Sequence, residues 1–153
     1  MTVDIFAVGK VREKHFQGIV EEYRKRLSSF CNLSITETKE TTAYFDVKNL
    51  EEEATDILKK IKTDDFVVTL EIEGHPLSSE ELAKFIDEKR TYGISKMIFI
   101  IGGSCGLDDS VKKRSDFSLS FGKMTFPHQM MRMILLEQIY RSFMIINHRQ
   151  YHK

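Results

Sequence analysis

The chain has 153 residues, 41% hydrophobic and 30% charged, the proportions of a soluble globular protein able to bury a core without staples. Its 23 basic and 23 acidic residues cancel, which excludes a strongly basic surface, so a polyanionic partner must meet a local patch. Cys31 and Cys105 lack metal-site spacing, no apolar run reaches the roughly 18 residues that span a bilayer, and no signal-peptide pattern is present, so a single cytoplasmic domain over residues 1–153 is expected.

Residues 2–10 read as an opening strand closed by Gly9. Phe16, Ile19, Val20, Tyr23 and Leu27 then recur at helical spacing, predicting an amphipathic helix to about Ser28. Leu33 to Thr36 alternates and is β-branched, a second strand. The polar stretch from Glu37 to Asn49 has no period and reads as a loop or an insertion. Leu50, Ala54, Ile57, Leu58 and Ile61 mark a helix with Asn49 as its expected cap. Phe66 to Ile72 is a third strand, followed by a turn at Glu73-Gly74-His75-Pro76. Ser78-Ser79-Glu80-Glu81 has the form of a capping box for a helix that buries Leu82, Phe85 and Ile86. Met97 to Ile101 is a continuous apolar strand that stops at Gly102-Gly103-Ser104-Cys105-Gly106. Asp108 and Asp109 lead a short helix with bases at its end, and Phe117 to Phe121 alternates as a fifth strand. Strands alternating with helices predict an α/β domain with a mostly parallel sheet.

The last helix, from Pro127 to about Asn147, is apolar on two sides: Leu135, Leu136, Ile139, Phe143 and Ile146 on one, and Met130, Met133, Ile134 and Met144 on another. Such a helix is either a central core element or half of a two-fold dimer interface. Arg132 lies on its apolar face and needs a carboxylate, a helix end or a bound phosphate. Glu137 and Arg141 have the spacing of an ordinary helix ion pair. His128, at the helix start, suits either a neutral hydrogen-bonding imidazole or a cap. No histidine is tied to Cys105 in sequence, as a cysteine nucleophile would require. The glycine turn fits neither the dinucleotide fingerprint nor a P-loop, but it stands at the carboxyl end of a buried strand, where α/β sheets bind ligands. The terminal Arg149-Gln150-Tyr151-His152-Lys153 is either a frayed end or equipment for stacking a base and gripping a phosphate.

Four motifs in order carry a family resemblance: Ile100 to Leu107, Leu119 to Met130, Leu136 to Arg141, and Tyr151-His152-Lys153. With Ala7 to Lys10 and Val68 to Gly74, they resemble the SPOUT-class methyltransferases that modify N3 of a pseudouridine in bacterial large-subunit (23S) ribosomal RNA. The resemblance implies an α/β fold with a C-terminal trefoil knot, an exception to the rule against threaded chains. It also implies an S-adenosyl-L-methionine site, an obligate homodimer, rRNA processing on the assembled ribosome, and no metal. It carries cofactor binding to Leu70, Gly102, Gly103 and Gly106 and to the loop Phe121, Gly122, Lys123, Met124, Thr125 and Phe126. The catalytic positions it marks are His152, as base or orienting group, Tyr151, and Arg141 beside the developing charge. His148-Arg149-Gln150 departs from the family pattern, which carries a glycine-acid pair there. The rival readings are a silent ribosome-binding module of the same fold, a transfer RNA methyltransferase, and a nicotinamide oxidoreductase. Glycine spacing argues against the last.

Overall fold

The computed structural model describes residues 1–38 and 47–151. The elements run β1 (Thr2–Val8), α1 (Lys14–Leu27), β2 (Asn32–Thr38), α2 (Val47–Leu58), β3 (Phe66–Pro76), α3 (Ser79–Thr91), β4 (Lys96–Ile101), α4 (Asp109–Arg114), β5 (Phe117–Ser120) and α5 (His128–Ile146). The five strands form one sheet of order β2-β1-β4-β3-β5, and every pairing is parallel.

Both faces of the sheet are covered, which is why its central strands read as unbroken apolar runs. Val3, Ile5 and Ala7 of β1 and Met97, Phe99 and Ile101 of β4 point to one face, where α1, α3 and α5 supply Leu27, Leu82, Ile86, Leu135 and Ile139. Phe6, Val8, Ile98 and Ile100 point to the other, under Ala54 and Ile57 of α2 and Val111 of α4. Leu135, Leu136, Ile139 and Phe143 are sealed from solvent, each worth about 1.5–3 kcal/mol of burial. The second apolar side of α5 is divided: Met133 and Met144 are buried within the chain, while Met130 is 41% exposed.

Local signals set most helix ends. Ser78 accepts from the Glu81 amide while the Glu81 carboxylate accepts from the Ser78 amide, the capping box expected for α3. Asp108 caps α4 through the Ser110 amide, and the Ser110 hydroxyl and amide hold its carboxyl below the ordinary range. Three expectations are corrected. The helix α2 begins at Val47, so Asn49 lies inside it rather than capping it. Thr38 and Glu37 belong to β2, not to the following polar stretch, whose residues 39–46 lie outside the described residues. The turn assigned to residues 73–76 is strand with a break in register: Leu70 and His75 both face Leu119, so residues 71–74 bulge from the ladder. Gly74 makes this close approach, since a Cβ there would stand 2.9 Å from the backbone of Ser118 and Leu119.

No described helix is long and apolar enough to cross a membrane.

Candidate functional site

Three backbone segments converge at the carboxyl ends of β3, β4 and β5: the bulge after Leu70, the turn after Ile101, and the connection from β5 to α5. That connection has far to go. β5 is the edge strand beside β3, while α5 starts beside the end of β1, where the Arg132 guanidinium donates to the Gly9 carbonyl at 2.9 Å. Residues 121–127 therefore cross the ends of β3 and β4, a traverse of three strand spacings or about 14 Å. Beneath this crossing lies a cavity of about 750 Å3, within the range of small-molecule sites.

All the residues expected to hold a cofactor border this cavity except Lys123, which is exposed to solvent. The wall between them is backbone and apolar side chain: Leu70, Leu119, Phe126 and Met131 close its inner side. The glycines have a stated reason. A Cβ on Gly102 would stand 2.5 Å from the Gly106 carbonyl oxygen, and Gly103 and Gly106 close the turn on each other as an antiparallel bridge. Gly106 and Gly122 take φ of 80° and 115°, the left-handed region that disfavours side chains.

Several lining residues were not assigned to the site from sequence, although Glu71 and Glu73 fall in the Val68 to Gly74 match. Glu71 and Glu73 enter through the bulge, and Lys112 comes from α4. The buried Thr69 hydroxyl donates to the Glu71 carboxylate at 2.6 Å, orienting one acid on the cavity wall. Gly74 was the one hint of the bulge. His128 also lines the cavity, at the first residue of α5, as does Cys105, an exposed free thiol. His15 packs on Phe16 and His75 on Phe117, and no metal-ligating group forms among the described residues.

Arg132 anchors the start of α5. It is sealed from solvent, pairs with Glu37 at 2.5 Å, and leaves its Nε without a partner. Desolvation depresses its pKa, and Glu37 opposes that shift. Of the partners open to it, the chain supplies a carboxylate and a strand-end carbonyl.

The tail residues sit elsewhere. Arg141 lies about 20 Å along α5 from His128 at 1.5 Å per residue, and neither it nor Tyr151 borders the cavity. Glu137 organises this second group. One oxygen of its carboxylate accepts from Arg141 at 2.6 Å, and the other from Tyr23 at 2.6 Å and Tyr151 at 3.0 Å. The Arg141 guanidinium stands 4.9 Å from the Tyr151 ring centre, and Tyr140 meets that ring edge-on. Burial, then the Glu137 hydrogen bond, raises the pKa of both Tyr23 and Tyr151, so both hydroxyls stay protonated donors at neutral pH. Spacing alone found the Arg141–Glu137 pair; the two tyrosines join through the fold. His152 and Lys153 lie outside the described residues.

The departure at His148 has a structural answer. The His148 amide donates to Ile145 and the Arg149 amide to Met144, the paired bonds of a Schellman motif whose left-handed position usually holds glycine. His148 occupies it at φ 53°. The turn survives without the glycine.

A family model described as "Predicted SPOUT methyltransferase" matches residues 1–152. The chain is 50% identical to "Ribosomal RNA large subunit methyltransferase H" of Finegoldia magna, and 48% identical to the protein of that name in Carboxydothermus hydrogenoformans, with both members of each pair covered in full. The crystal structure of the tRNA (m1G37) methyltransferase from Aquifex aeolicus superposes with a TM-score of 0.54 at 15% identity, over 92% of this chain and 70% of that one. At that identity the likeness establishes the fold, the knotted α/β arrangement in which the β5–α5 crossing passes the glycine turn. The chain belongs to the SPOUT methyltransferase family, in the branch of the ribosomal RNA large subunit methyltransferases H.

Proposed function

We propose that this chain is an S-adenosyl-L-methionine-dependent methyltransferase that acts in the cytoplasm on N3 of a pseudouridine in large-subunit ribosomal RNA. The observation that carries the reading is the backbone-lined cavity at the β5–α5 crossing, in a chain whose full-length relatives at half identity bear that enzyme's name. The cavity fits the cofactor. Apolar walls suit an adenine ring, glycine backbone at Gly102, Gly103 and Gly106 leaves polar main-chain groups uncovered, and Glu71 and Glu73 suit a cationic ligand.

When bound, S-adenosyl-L-methionine supplies a methyl on a sulfonium, which departs as a neutral thioether. The cavity's task is to aim that methyl at the N3 lone pair, a positioning problem. The imide proton must leave N3 as the N–C bond forms, and His152 is assigned as the group that accepts it or orients the base. Tyr151, a protonated donor, positions the target ring. Arg141 holds Tyr151 through Glu137 and offsets the negative charge that develops as the proton departs.

Cavity and tail stand at opposite ends of α5, so one chain does not unite them. A homodimer crossing at α5 sets one tail at the other's cavity. Three of the exposed large apolar side chains, Ile72 at 47%, Met124 at 74% and Met130 at 41%, gather at the cavity end, where such a partner would cover them.

The test is methyl transfer from labelled S-adenosyl-L-methionine to ribosomes lacking the modification, with deproteinised ribosomal RNA and transfer RNA alongside, followed by mapping of the label. Label on one large-subunit pseudouridine is expected. Label on transfer RNA, or none on any substrate while ribosomes are still bound, overturns the reading.

A further inference from the structure

A second hollow, of about 730 Å3, opens at the amino end of the sheet, remote from the cavity at the crossing. Among the described residues its wall carries hydroxyl and amide groups from Ser28, Ser29, Asn32 and Ser95, one cationic side chain, Arg24, beside the Met1 amino group, and no carboxylate side chain. Phe30 forms its apolar side, held by stacking on Phe143 at 5.9 Å. The Arg149 guanidinium stands over that ring at 4.9 Å, so a second cation is fixed beside the hollow. Arg24 also pairs with Glu21 at 3.2 Å, but both side chains are about half exposed, and such a pair is worth little and is readily exchanged.

These groups share one chemistry. Guanidinium forks and the Ser29 and Ser95 hydroxyls around a concave, acid-free wall match a phosphate diester, the Ser28 hydroxyl being spent on the Lys25 carbonyl. The chain has no net charge to attract a polyanion, so a local cation pair of this kind must do so. Position adds the rest. The Tyr151 amide donates to the Arg149 carbonyl at 2.9 Å, so the cation beside the hollow and the ring assigned to the target base belong to one turn. We infer that this hollow seats a backbone phosphate of the RNA strand next to the target nucleotide, held by Arg24 and Arg149. The inference rests on the RNA-methyltransferase reading and adds where the strand runs: from the hollow, past the tail, towards the partner's cavity.

The experiment compares wild type with Arg24→Ala and Ser29→Asp, the second placing a carboxylate in the hollow. Methyl transfer to ribosomes lacking the modification is followed against enzyme-bound fraction and salt, with S-adenosyl-L-methionine affinity measured separately. Both variants are expected to bind the ribosome about tenfold more weakly, the loss of one charge-assisted contact. The slope of log affinity against log salt should become shallower by about 0.7 in Arg24→Ala, one single-strand phosphate. Saturated turnover and cofactor affinity should stay at the wild-type level. Unchanged ribosome affinity and salt slope in both variants overturn the inference. A benzophenone side chain placed at Ser29 should crosslink to RNA; a crosslink to a ribosomal protein instead also overturns it. Absence of methyl transfer by wild type to any RNA sinks the functional reading itself, whereas active wild type with indifferent variants sinks only the hollow.

Discussion

The glycine turn after β4 gives the sharpest prediction, through Gly102→Ala. A Cβ there would stand 2.5 Å from the Gly106 oxygen, 2.7 Å from its carbonyl carbon and 3.1 Å from Leu107 Cγ. Ordinary carbon contacts begin near 3.5 Å, so the turn must open by about 1 Å. Neither neighbour yields easily: Gly106 is tied to Gly103 by the bridge, and Leu107 is buried in the lower core. Overpacking of this kind costs about 1–3 kcal/mol, which at about two to four degrees per kcal/mol lowers Tm by about 2–12 °C. Displacing reacting partners by 1 Å costs on the order of a hundredfold in rate. The expected outcome is a folded protein with cofactor affinity reduced about tenfold or more and methyl transfer lower still. Gly106→Ala is the control, since nothing lies within 4 Å of its Cβ and only the left-handed φ is strained. It should lose about 1–2 kcal/mol of stability and less cofactor affinity than Gly102→Ala. Calorimetry with S-adenosyl-L-methionine and thermal melting decide it. Wild-type affinity and Tm in Gly102→Ala would refute the idea that closure of this turn shapes the cavity.

Four further outcomes are expected. His152→Ala should keep cofactor affinity and lose methyl transfer; full single-turnover activity would remove the tail from the chemistry. Mixing that variant with Gly102→Val should restore roughly a quarter of wild-type activity, because half the dimers then hold one intact composite site; no recovery would place tail and cavity in the same chain. Arg132→Ala should cost about 3 kcal/mol in urea unfolding, because it empties the space of a fully buried side chain and leaves the Gly9 carbonyl without its donor, while Glu37, exposed and still accepting from the Val11 amide, loses only its ion pair; a loss below about 1 kcal/mol would show that solvent reaches the site. Burial pushes the Cys31 thiol from 9.0 up to about 11. A raised folded pKa contributes stability that is complete below the unfolded value and lost as pH rises through the folded one. Stability should therefore fall between pH 9 and 11, and Cys31→Ala should flatten that limb; an identical limb in the variant would assign it to the tyrosines.

Alternation of period told most of the fold in advance. The apolar runs at Phe66 to Val68 and Met97 to Ile101 are continuous because helices cover both faces of the sheet, and a run of that kind identifies itself without partners. The capping box at Ser78 and the Asp108 cap are likewise local, made of residues two or three apart. The glycine turn was legible as a backbone site because only glycine tolerates the approach it makes. What failed was also local in origin: the Asn49 cap and the turn at residues 73–76 were read from residue preference, and β3 overrides that preference by pairing twice with Leu119.

The site itself needed both kinds of information. Sequence alone determined the strands, the helices, the glycine turn, the family motifs and the Glu137–Arg141 pair, all set by neighbours along the chain. Only the tertiary structure decided that residues 121–127 cross two strand ends to roof a cavity, that the β3 bulge turns Glu71 and Glu73 into its wall, and that Tyr23 joins Tyr151 on Glu137. It also chose among the partners open to Arg132 and set Tyr151 at the far end of α5 from the cavity. The physical reason is the same throughout. Periodicity and caps report a residue's burial and its near neighbours, whereas a site is built where segments distant in sequence are packed together, and that packing is decided by the sheet order.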